Sequence, residues 1–195
     1  MITQHQFEQA RDILKPAVVA AVVTKMGDKI NLAPIVWQVV SSKYERPWVA
    51  CVGLSHKSCS LAAIKRTKEF VLAFPSRQQI EDVLYCGTVS GKTVNKAAAT
   101  NLKFAPSREV HTPCLKSAVL NLECRAMKSV KLETFTIVIG EIVHARISSH
   151  SSLEKIYALG NERFGVVTGV KIIQGGKRSK LDFIHHPVHF VVGDG

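Results

Sequence analysis

The chain has 195 residues, 46% apolar and 21% charged, with a formal net charge of +11. That length suits one well-buried domain, and the composition excludes a disordered chain. No apolar run approaches the ~20 residues of a membrane-spanning helix, the longest being 17–23. Residues 3–15 carry Phe7, Ala10, Ile13 and Leu14 at helical spacing, which predicts a short amphipathic helix ended by Pro16. PAVVAAVVTK (16–25) is valine-rich and too short for a core helix, so it reads as a buried strand. Lys25 to Lys29 is a turn by its Gly27-Asp28 content. It leads into INLAPIVWQVVSS (30–42), where Pro34 implies an edge, a bulge or a kink facing a ligand.

A third strand, PWVACVGL, covers 47–54. Ser58 or Ser60 then caps a short helix whose apolar face is Leu61, Ile64 and Ala62, before a strand from Phe70 to Phe74. A second short helix is expected from Arg77 to Leu84. Cys86 to Asn101 has few large apolar residues and reads as mixed loop and short helix. VLNLECRAM (119–127) alternates, with Val119, Asn121, Glu123 and Arg125 on one face, which predicts a half-buried strand. TFTIVIGEIVHARI (134–147) is a long strand in which Gly140 marks a bulge or bend. A helical turn at Ser152 to Leu159 and two short apolar runs close the chain. No repeat, linker or composition shift divides it, so residues 1–195 are expected to form a single domain. Many short strands with few helices between them point to a mainly β fold, a barrel core with helical insertions.

The N-terminal segment lacks an apolar h-region and a cleavage site, which makes the cytoplasm the default compartment. Five cysteines, an odd number without a CxxC pair, read as reduced thiols, mostly in the core. The 26 Lys and Arg are dispersed, the densest cluster being Lys177, Arg178 and Lys180. With no basic block and no aromatic-interleaved platform, a solvated basic surface is favoured first. Attraction for an anionic cofactor comes second and nucleic acid last.

Several motifs are near misses. GTVSGKT (87–93) leaves three residues between Gly87 and Gly91 where a P-loop needs four, and no GxGxxG is present. His185 and His189 in HHPVH have the i, i+4 spacing of metal ligands, but Pro187 lies between them and no Cys or carboxylate follows at ligand spacing. No metal site is assigned. His56 and His144 are isolated, and neither GxSxG nor a catalytic carboxylate pair occurs.

Five pieces in a fixed order carry more information. They are NLAP-x-x-W (31–37), VGLSHKSCS (52–60) before a helix ending in TKEFVLAFP, VSGKTVNKAAATNL (89–102), TPCLKSAVLNLECRA (112–126) and TIVIGEIVHA (136–145). Together they resemble the flavin reductase-like family, which includes flavin reductases, flavoredoxins and ferric reductases, over about Pro16 to Ala145. The resemblance implies a six-stranded, Greek-key-like split β-barrel binding one FMN per subunit near the interface of a homodimer. It implies electron passage from NADH, NADPH or a protein donor to a flavin, a ferric chelate or a redox protein. Lys57, Ser58 and Ser60 would serve the phosphate, which needs a cation, hydroxyls and helix-start amides. Asn31, Ala33 and Pro34, with backbone of Leu54 and Ser55, would line the ring; Ser90, Gly91 and Lys96 would close over it. No acid–base side chain is nominated, since hydride transfer asks for position more than for a proton donor. Three positions depart from the family pattern: Val36 replaces a Ser before Trp37, Lys57 replaces a guanidinium, and Ala97 replaces an aromatic. A non-catalytic FMN electron carrier is the alternative, followed by a basic module that binds nucleic acid without cofactor.

Overall fold

Pairing begins with the hairpin of β2 (Ala20–Met26) and β3 (Lys29–Ile35), joined by the two-residue turn Gly27-Asp28 and in register from Met26–Lys29 to Ala20–Ile35. The computed structural model describes residues 2–41, 46–148, 155–160, 163–167 and 190–192. A helix, α1 (Gln4–Ile13), precedes the hairpin, as the apolar spacing requires. The predicted strand at 16–25 is divided at Val19. The short β1 (Ala17–Val18) pairs with β11 (Ile156–Gly160), while β2 stays in the main sheet.

Beyond the hairpin come β4 (Gln38–Val40), β5 (Val49–Ser55), α2 (Cys59–Thr67) and β6 (Glu69–Phe74). A 3₁₀ turn at Arg77–Gln79 leads into α3 (Ile80–Thr88), and the short β7 (Phe104–Ala105) and β8 (Cys114–Leu115) follow. The long β9 (Leu120–Lys131) and β10 (Phe135–Ile147) complete the main sheet. Its seven strands are antiparallel in the order β3-β2-β6-β9-β10-β5-β4. The two edge strands are consecutive in the chain, separated only by Val36 and Trp37. The three Cα steps from Ile35 to Gln38 span at most ~11 Å, so the sheet must curl until its edges approach each other. The result is the expected split β-barrel, with the short β4 as a seventh strand where six are implied. β1, β11, β12 (Arg163–Val167) and β13 (Phe190–Val192) form a separate four-stranded sheet.

Barrel interior residues include Val22, Val52, Phe70, Leu72 and Val138, with Leu61 and Ile64 of α2 packed onto them. The apolar face of α2 uses Ala63, not Ala62, which is exposed. A second core lies outside the sheet, where Val83 and Cys86 of α3 and Leu102, Val110 and Leu115 cover Val23, Leu32 and Val71. This layer corrects the half-buried reading of β9, because Asn121 and Glu123 are buried as well as Leu122 and Cys124. The Asn121 amide accepts from Leu115 N–H at 2.9 Å and donates to Leu115 C=O at 3.0 Å. Glu123 accepts from the N–H groups of Arg108 and Glu109 at 2.7–3.1 Å. Burial pushes the Glu123 carboxyl up, but these N–H donors outweigh it and hold the pKa below the ordinary value.

Gly140 is a bulge point as predicted, with a register shift between Ile139 and Gly140. A Cβ there would stand 2.6 Å from the Phe70 ring. The helical turn expected from Ser152 to Leu159 is instead strand from Ile156 onward, paired on both sides by β1 and β12; its first part lies outside the described residues. So do the HHPVH segment and the Lys177–Lys180 cluster. The five cysteines are free, and three are buried. No helix among the described residues is long and apolar enough to cross a membrane.

Candidate functional site

Three elements meet at one edge of the barrel: β3, the start of α2, and the turn after α3. Strand alternation sends Leu32 to the outer core and Ile35 to the barrel interior, so Asn31 and Ala33 share the inner side. Pro34 faces the other way, where its ring touches α3 at Gly87. The three residues expected to form one wall are therefore divided between two faces.

The β5–α2 loop turns on Ser55, whose carbonyl accepts from Ser58 N–H at 3.0 Å. Ser58 is the cap of α2, and its hydroxyl accepts from Leu61 N–H at 3.1 Å. Its carbonyl accepts from Ala62 N–H at 3.4 Å. The N–H groups of Cys59 and Ser60 belong to the first turn and have no intrahelical acceptor. Lys57 stands exposed beside them. Ser60 differs from expectation: it is fully buried, and its hydroxyl accepts from Asn31 Nδ2 at 2.9 Å. It ties α2 to β3 and does not face the open side of the loop. Leu54 is in the barrel core, so only its backbone is available to a ligand.

The third element packs against the first two. A Cβ on Gly91 would lie 2.1 Å from Asn31 Oδ1 and 3.5 Å from the Cβ of Cys59, so this backbone reaches the other two elements only because residue 91 is glycine. Ser90 begins the turn, its carbonyl accepting from the N–H groups of Thr93 and Val94. Lys96 is buried, and its ammonium donates to the carbonyls of Leu32 on β3, at 3.0 Å, and Cys86 on α3. Desolvation lowers its pKa, with the nearby Cys86 and Cys59 thiols acting in the opposite direction. Lys96 thus staples β3 to α3. Gly87 lies in the last turn of α3, so GTVSGKT follows a helix and lacks the strand that leads into a P-loop.

Asn31 Oδ1 has no hydrogen-bond partner among the described residues, and neither do the buried hydroxyls of Thr24 and Thr136. Thr24 lies opposite Asn31 in the hairpin register. Sequence reasoning missed Thr24 and Thr136 because a Thr inside a valine-rich run looks like ordinary strand. It also left Trp37 unassigned, although NLAP-x-x-W contains it. The Trp37 ring lies on Gly53 of β5 and meets Phe135 edge-on at 4.9 Å between centroids. Trp37 lines a groove of 310 Å³ with Val39, Cys51 and Ile137 on the outer face of β5 and β10. No group of three or more metal-binding side chains occurs among the described residues.

The arrangement offers a helix start with a flanking cation, a polar side chain whose buried acceptor is unpaired among the described residues, and a glycine turn packed beside both. A family model described as the Flavin reductase like domain matches residues 14–167. An uncharacterized protein of Archaeoglobus fulgidus is 34% identical over 117 residues, covering 60% of this chain and 65% of its own, just under two thirds of that relative. The solved structure of the FMN-binding protein from Thermus thermophilus with bound p-hydroxybenzaldehyde is similar at a TM-score of 0.70 and 19% identity, over 78% of this chain and 87% of that one. The 2-nitrobenzoate 2-nitroreductase of Pseudomonas fluorescens is similar at 0.81 and 18%, over 92% of this chain and 95% of the other. Identities this low carry the fold alone.

Proposed function

The chain belongs to the flavin reductase-like family, and from that membership we propose that it binds FMN at the α2 start and passes electrons through it. The observation that carries the reading is the meeting of three features at one barrel edge: the first turn of α2 with Lys57, the unpartnered Asn31 Oδ1, and the Gly91 turn. A phosphomonoester carries about −1.5 to −2 charges at neutral pH. It suits free helix-start N–H groups beside an ammonium, where the helix dipole adds to the attraction. Ser58 keeps its hydroxyl proton as a further donor, since its oxygen only accepts from Leu61. Asn31 and Ala33, with backbone at Leu54 and Ser55, would hold the ring.

Bound FMN would supply the redox chemistry, taking two electrons from a donor and releasing them to an acceptor. The residues of the chain bind, orient and screen. The Asn31–Ser60 bond holds the ring-facing strand against the phosphate-facing helix, so the two halves of the ligand meet elements of fixed separation. Lys96 acts through position: its two carbonyl contacts keep β3 and the 90–96 turn together. NADH or NADPH is the proposed donor. A homodimer is proposed as well, supported by the apolar outer face of β4, β5 and β10, where Val39 is 65% and Trp37 48% exposed. Exposed apolar area of this kind is a common mark of an interface.

The test is reconstitution with FMN followed by anaerobic NADH or NADPH. Loss of the oxidised flavin absorbance on donor addition, with turnover when free flavin or a ferric chelate is added, supports a reductase. A bound flavin without turnover assigns a carrier. A protein that leaves added FMN entirely free contradicts the proposal.

A further inference from the structure

The barrel interior is finished differently at its two ends. At one end α2 lies across it, and Val22, Phe70 and Leu72 are completely buried. At the other end, Phe74 and Leu122 keep 7% and 6% exposure, and Val18, Val40 and Leu120 are only half-buried. These five side chains line a cavity of 520 Å³ at the open mouth of the barrel. Such a volume falls within the ~300–1,000 Å³ of small-molecule sites and far above the ~30 Å³ share of one water. Left to solvent, apolar walls of this extent forgo both dispersion contacts and release from water.

Among the described residues, the polar members of the lining are Gln38 and Lys155, with no carboxylate. Lys155 is half-buried, and its backbone is bridged to Ser76, which directs residue 155 to the rim. Gln38 pairs across β4 and β5 with Val52, placing an amide on the opposite side of the mouth. An apolar cup with an ammonium and an amide at its rim matches a molecule with an apolar body and one anionic head.

We propose that the open end of the barrel is a binding site for a small amphipathic carboxylate, its apolar body inside the barrel and its head group at Lys155. The site uses none of the residues assigned to FMN, so it stands or falls separately from the flavin reading. Its walls come from β1, β4, β6, β9 and β10, all strands of the two sheets except for Val119 and Lys155 beside them.

Calorimetric titration of the full chain with octanoate and with octan-1-ol tests the proposal. Octanoate should bind saturably at one per chain. Lys155→Met should weaken octanoate about tenfold and leave octan-1-ol within about twofold, since only the charged head meets the ammonium. Val40→Trp, checked for native urea unfolding, should remove binding of both by filling the cup. Absence of saturable octanoate binding up to roughly 1 mM would overturn the proposal. So would equal loss of both ligands in Lys155→Met, or undiminished binding in a folded Val40→Trp.

Discussion

Gly91→Ala probes the joint between the three elements of the site. The added Cβ would stand 2.1 Å from Asn31 Oδ1 and 3.0 Å from Asn31 Cγ. The first distance is impossible and the second is tight, so the Asn31 side chain must swing away or the turn must lift. Swinging breaks the 2.9 Å bond to Ser60, whose hydroxyl is fully buried and would lose its partner. Overpacking of this kind costs about 1–3 kcal/mol, and the lost buried hydrogen bond adds about 1 kcal/mol. The sum, about 2–4 kcal/mol, should lower Tm by roughly 4–16 °C in a chain of this size. FMN affinity should fall as well, because Asn31 leaves its position. Urea unfolding in wild-type and Asn31→Ala backgrounds isolates the cause. If the clash with Asn31 is responsible, Gly91→Ala should cost less than about 0.5 kcal/mol once residue 31 is alanine. An equal cost in both backgrounds, or none in the wild type, would refute the argument.

Other consequences can be measured independently. Gly140→Ala drives a Cβ to within 2.6 Å of the buried Phe70 ring, and should lower stability by about 1–3 kcal/mol in urea unfolding with unchanged m. Glu123 has its folded pKa below its ordinary 4.5, so its stabilisation is present above that value and is lost as pH falls through the folded pKa. Glu123→Gln should therefore flatten the acid limb of the stability profile below about pH 4.5; an unchanged slope would detach Glu123 from the N–H groups of Arg108 and Glu109. Light scattering should give about twice the 21.4 kDa chain mass at micromolar concentration if the Trp37 face is covered by a second copy. A monomer that holds FMN would remove the interface while sparing the cofactor.

Much of the barrel was legible because its strands are short, valine-rich and punctuated by Gly and Pro, signals that act within ten residues. Pro34 read as an edge, a bulge or a kink facing a ligand, and the first of these holds, since β3 is an edge strand. Gly140 read as a bulge, although the reason it must be glycine, the Phe70 ring, comes from a strand seventy residues away. The failures were long-range. Glu123 and Asn121 alternate with apolar residues as solvent-facing groups would, and only the 104–118 segment folded over them makes both faces of β9 interior. Ser60 has the look of a loop hydroxyl waiting for phosphate, yet its helix turns it inward to Asn31. Lys96 could be read as a ligand cation because nothing local indicates that two carbonyls, one of them sixty-four residues upstream, claim its ammonium. Ile156 was assigned to a helical turn since its partners, β1 and β12, are invisible from its own neighbours. For Glu123, Asn121, Ser60 and Lys96 the residue types were right for a polar contact, and the identity of the contact depended on segments brought together only by the fold.

The central claim is that the start of α2 with Lys57 receives the phosphate of FMN. Parallel titrations of FMN and riboflavin, followed by quenching of flavin fluorescence, test it most directly. FMN should bind at one per chain and more tightly than riboflavin by about tenfold or more, the worth of one charge-assisted contact. Lys57→Ala should narrow that gap without changing riboflavin affinity. Equal affinity for the two flavins, or no quenching of either at micromolar protein, would contradict the account.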